Sequence, residues 1–104
     1  MSAGANPARG EAALLVGGEA VRLRPSFEAL VAAEGELGPL FALVERAAAG
    51  GLGLAEMAAL FWHCAEPRPG LTRERIGAAI AELGLAGVAP ALRVLLGQIL
   101  NGAV

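Results

Sequence analysis

The chain has 104 residues, a formal net charge of −2, 56% hydrophobic side chains and 17% charged ones. That is one domain's worth of chain, too apolar for disorder and too short for a multi-domain machine. Its few cations form no concentrated basic face, so a nucleic-acid partner is not expected.

Residues 1–8 are small and featureless and are read as a flexible N-terminal tail, and residues 9–104 as a single helical domain opened by a β-hairpin. Two short apolar-rich runs, 11–16 and 19–24, flank Gly17-Gly18. Two glycines tolerate the positive φ of a type I′ turn, which predicts a two-stranded antiparallel hairpin. Ala20, Arg22 and Arg24 alternate with Val21 and Leu23, so one face is wet and the other buried. A hairpin alone is marginally stable, and its apolar face must therefore lie on helices.

Four or five short helices are expected after it, giving an α+β domain. Ser26 is placed to N-cap the first, with Glu28 in its first turn and Phe27, Leu30 and Val31 on one stripe. Gly38 closes it, and Pro39 starts a second carrying Leu40, Phe41, Leu43, Val44 and Ala47. After the break at Gly50, Gly51 and Gly53, a third runs from Leu54 to Ala65 with Met57, Leu60, Phe61 and Cys64 on its stripe. Pro67 to Gly70 is a breaker, Thr72 an N-cap for the fourth helix, and Gly84 its stop. Ile76, Ala79, Ile80 and Leu83 line that fourth helix, and Pro90 suits the first turn of a fifth, lined by Val88, Leu92, Leu95, Leu96 and Ile99. The expected core is Phe27, Leu30, Phe41, Leu60, Phe61, Ile76, Ile80 and Leu92.

Enzyme constellations are thin, and neither catalytic residues, a metal nor a cofactor is expected. His63 and Cys64 are single and adjacent, and neighbouring helical residues diverge by about 100°, which precludes a nucleophile–base contact. Cys64 lies on the apolar stripe and reads as core. Structural zinc wants four ligands of the Cys and His type, and these two are all there are. The glycine run before the third helix lacks the lysine of a phosphate-binding loop, since the chain has no lysine at all. One cysteine and no charged, apolar leader fit a cytosolic protein.

Residues 83–104 hold one charge, Arg93. That length approaches a membrane span, but Arg93, Pro90 and the glycines interrupt it, and burial against its own domain or a partner is the better reading. Protein-interaction candidates are Trp62, which lies off the main stripe of its helix, and Val94 and Leu100 on the terminal helix. The plainer reading of Trp62 is a ring that completes the core beneath the hairpin.

The order of residues carries more. Asn6-Pro7-Ala8-Arg9-Gly10-Glu11, a strand, Gly17-Gly18, a strand ending Arg22-Leu23-Arg24, and Ser26-Phe27-Glu28-Ala29-Leu30, followed by Glu34 and Leu37-Gly38, resemble a known family. It comprises small proteins of gene transfer agents and related phages, of the tail assembly chaperone type, encoded between tail tube and tape measure genes. Leu40, Leu43, Arg46 and Glu82-Leu83-Gly84 extend the likeness, whereas Pro67–Gly70 is more proline-rich than its pattern. The resemblance implies no catalytic residues. It implies a non-enzymatic, cytoplasmic or particle-associated protein that binds the tape measure protein during tail assembly. Alternatives are a structural tail tube component, with the tail tube protein as partner, and a free-standing cytosolic adaptor; self-association is compatible with each.

Overall fold

The computed structural model describes residues 12–102, so the expected tail over residues 1–8 lies outside them. The elements are β1 (Ala12–Val16), β2 (Glu19–Leu23), α1 (Phe27–Leu37), α2 (Leu40–Ala48), α3 (Leu54–Cys64) and α4 (Arg73–Asn101). β1 and β2 pair antiparallel with Ala12 opposite Leu23 and Leu14 opposite Val21. Gly17 and Gly18 both have positive φ, 58° and 84°, as a type I′ turn requires. Ala12, Leu14, Val16, Val21 and Leu23 form the buried face, and β1 rests against α4.

The free edge of β2 is covered. The chain leaving α3 runs beside it, with Arg24 N–H donating to Cys64 O at 2.7 Å and Glu66 N–H to Arg22 O at 2.9 Å. Glu66 also accepts from the Arg22 and Arg24 guanidiniums. An unpaired edge is a template for aggregation, and this short graft removes it.

α3 is the central rod, with Met57, Ala58, Ala59, Leu60, Phe61 and Cys64 all buried. α1 and α4 pack against it, and α2 packs against α1 and α4. Caps explain where the helices start. Ser26 Oγ accepts from Ala29 N–H at 3.2 Å, Thr72 Oγ1 from Arg75 N–H at 3.1 Å, and Glu34 reaches forward to accept from Leu40 N–H at 3.1 Å.

Of the expected core, Leu60, Phe61, Ile76 and Ile80 are fully buried, and Leu30 and Leu92 are half-buried against it. Phe27 and Phe41 are not in the core: they are 82% and 66% exposed. The inner stripe of α1 is Ala29, Leu30, Ala33 and Leu37, about a quarter-turn away from Phe27. α2 buries Leu43 and half-buries Leu40, Val44 and Ala47, which turns Phe41 outward. Both helices are apolar on two sides, so periodicity alone gave them no orientation.

The break at Gly84 is present, at φ 78° and ψ 165°, but the chain re-enters helix at once rather than at Pro90. Pro90 therefore sits in the second turn of the resumed segment. Val88, fully buried, holds the residues read as a connector in helical form, and Gly87 permits it to pack closely at the bend, where a Cβ would lie 3.1 Å from Leu83 Cβ. By length and composition α4 is long and apolar enough to cross a bilayer, with a mean hydropathy of 1.7 over its most apolar 18-residue stretch. Gly84 divides it into a charged first segment, 73–83, and an apolar second segment, 85–101, that carries Arg93 at its middle.

Candidate interaction surface

α2 and the second half of α4 enclose an open groove of about 400 Å³. Val44, Ala47 and Ala48 form one wall, and Ala89, Leu92, Leu96, Gly97 and Leu100 the other. The α4 wall is apolar because that segment turns Val88, Ala91 and Leu95 to the core and still has leucines on its far side. Arg93 is the single ionisable group in this lining, and it makes no hydrogen bond or ion pair among the described residues.

The three sequence candidates occupy different environments. Leu100 is 53% exposed and lines the groove. Val94 is half-buried and packs against the core. Trp62 is half-buried against the core and borders a separate hollow of about 300 Å³ with His63, Ala65, Pro67, Arg68 and Leu71. No residue lines both places, so Trp62 and Leu100 are not one site. A third, smaller cleft joins Leu52, Leu54 and Met57 of one side to Ile80, Gly84 and Leu85 of the other.

Sequence reasoning missed most of the open apolar surface. Leu15, Phe27, Val31, Phe41, Leu54 and Leu85 are half or more exposed, as is Leu100. Large apolar side chains exposed this densely on a small domain mark contact with another macromolecule. The one available signal was α1, where Phe27, Val31 and Gly35 form a second apolar or small row, between Glu34 and Glu28 and roughly a third of a turn from the Leu30–Ala33–Leu37 row.

The polar groups tie helices together. Glu36 Oε1 meets His63 Nε2 at 2.7 Å and its Oε2 accepts from Arg73 at 2.6 Å, joining α1, α3 and α4. Those hydrogen bonds, Arg73 foremost, hold the Glu36 carboxyl down at about 2. Arg46 pairs with Glu56, whose other oxygen accepts from Gly53 N–H at 3.0 Å; both contacts lower its pKa, the backbone bond more. Cys64 faces the core beside His63, and burial pushes its thiol up to about 12. A thiol so placed is a poor nucleophile, and His63 is engaged by Glu36. Among the described residues no group of three or more His, Cys, Asp or Glu is placed to hold a metal ion.

The surface is open and apolar, and the order of residues along the chain decides the family. Residues 9–102 match the family described as phage tail tube protein, GTA-gp10. The chain belongs to this family. It is therefore a small tail protein of phages and gene transfer agents, and the match takes in the hairpin and all four helices. No curated protein and no solved structure gives a significant match.

Proposed function

We propose that this tail protein works by binding rather than catalysis, as a chaperone that holds the tape measure protein before the tail tube encloses it. The observation that supports the reading best is the α2–α4 groove together with the exposed apolar side chains around the domain. A tape measure is a very long helical chain with apolar stripes. An amphipathic helix laid in a groove needs only a few large anchors at i, i+3, i+4 and i+7, and a groove walled by Leu92, Leu96 and Leu100 suits them. Contact with protein rather than lipid fits a surface that lacks a basic rim.

The family's description as a tail tube protein favours a second reading, a subunit of the tube itself. Quantitative mass spectrometry of purified particles, with co-purification of the tape measure protein from assembling cells, separates the two. A chaperone co-purifies with the tape measure chain and is absent from mature particles. Abundance in mature particles at tube stoichiometry overturns the chaperone reading.

A further inference from the structure

We propose that the protein also binds copies of itself head to tail, the outward face of α1 of one copy seating in the α2–α4 groove of the next. The two surfaces carry charge of opposite sign, each with one charge that has no partner set in the same apolar frame. Around Glu28 on α1, the positions one back and three, four and seven ahead are Phe27, Val31, Ala32 and Gly35, and all five residues are exposed. Around Arg93 on α4 the same positions are Leu92, Leu96, Gly97 and Leu100. Residues three, four and seven apart share one helical face, so Arg93 is the one charge on its face, while the α1 face is wholly acidic: Glu28 lies amid the apolar and small side chains, and Glu34, at the edge beside Phe27 and Val31, caps Leu40 N–H.

Neither charge has a partner within its own chain: among the described residues Glu28 and Arg93 make no ion pair or side-chain hydrogen bond. Desolvating a charge beside apolar groups is costly unless an opposite charge meets it, and each face offers what the other lacks. Shape agrees with charge. Phe27 projects 82% exposed, and the groove is lined by Ala47, Ala48, Ala89 and Gly97, small enough to admit a ring. At Gly35 and at Gly97 an added Cβ would meet nothing within 4 Å, so both faces are open for close approach.

Donor face and acceptor groove are different patches of one molecule, so the contact is heterologous. It propagates from copy to copy and ends only by closing into a ring. This goes beyond the tape-measure reading and is measured on the isolated full-length chain, with no other tail protein present.

The test is sedimentation velocity between roughly 1 µM and 1 mM, spanning affinities that a single-helix contact supplies. The wild-type chain should show a mass rising with concentration above 10.4 kDa. Glu28→Arg and Arg93→Glu, both at exposed positions, should each keep the wild-type circular dichroism and weaken association about tenfold or more. Mixed in equal amounts, the two variants should recover the association each has lost, because each supplies the face complementary to the other's altered one. Gly97→Leu, which fills the groove, should weaken association without a change of charge. A wild-type chain that stays at 10.4 kDa throughout overturns the proposal. So does association indifferent to both reversals, or a mixture that recovers nothing.

Discussion

Cys64 illustrates how position on a helix decides chemistry. It follows His63 directly, yet one side chain enters the core and the other turns to Glu36. With its thiol raised to about 12 by burial, Cys64 should resist a thiol-specific disulfide reagent in the native state and react fully in denaturant. Rapid native labelling would place it at the surface. Glu36 makes the complementary case. Its folded pKa of about 2 lies below the ordinary 4.5, so its ties contribute stability above pH 4.5 and lose it as pH falls from 4.5 toward 2. Glu36→Gln should therefore melt below wild type near neutral pH, and the gap in Tm should close as the solution approaches pH 2. A gap independent of pH would assign the loss to packing. For Leu60, fully buried in α3, truncation to Ala should cost about 2–5 kcal/mol in urea unfolding. The sequence identified Leu60, Phe61, Ile76 and Ile80 because their stripes face polar or small residues on the other side. It misplaced Phe27 and Phe41 because their helices are apolar on both.

Among elements, the hairpin was the most legible, since two consecutive glycines admit few alternatives and alternation fixes the face. The helix starts at Ser26 and Thr72 were equally plain, because an oxygen-bearing side chain ahead of an apolar run has one economical use. The join within α4 was half legible. Gly84 adopts φ 78° with ψ 165°, a region essentially confined to glycine, and so the break was readable. The immediate return to helix was not, because it depends on Val88 entering a core contributed by distant residues. Gly84→Ala should cost about 1–3 kcal/mol in chemical denaturation, although an added Cβ meets nothing within 4 Å. The cost is backbone strain without a clash. A neutral substitution would mean that the two halves of α4 can join as one straight helix, and circular dichroism of the variant would register the added helical residues.

At the scale of the whole molecule, the apolar side chains divide into a core and an open share, and α4 contributes to both. Leu95 is fully buried, whereas Leu100, little more than one turn on, is 53% exposed at the groove. Composition announced the excess, with 56% hydrophobic residues against 17% charged, but which share stays open is set by how α2 and α4 meet. That arrangement is tertiary and leaves no local mark. Val94 and Leu100 were equivalent in sequence, yet Val94 packs on the core and a charge there would disturb folding and binding together. Leu100 separates them. Leu100→Glu should leave unfolding free energy within about 0.5 kcal/mol of wild type, as exposed substitutions do. Leu95→Ala should lose about 2–5 kcal/mol. If the groove receives the tape measure chain, Leu100→Glu should abolish co-purification at full stability, and Leu95→Ala should lower recovery only in proportion to its unfolded fraction. Retained co-purification by Leu100→Glu would move the binding face to another part of the exposed apolar surface, with the Leu54–Leu85 cleft the next to alter.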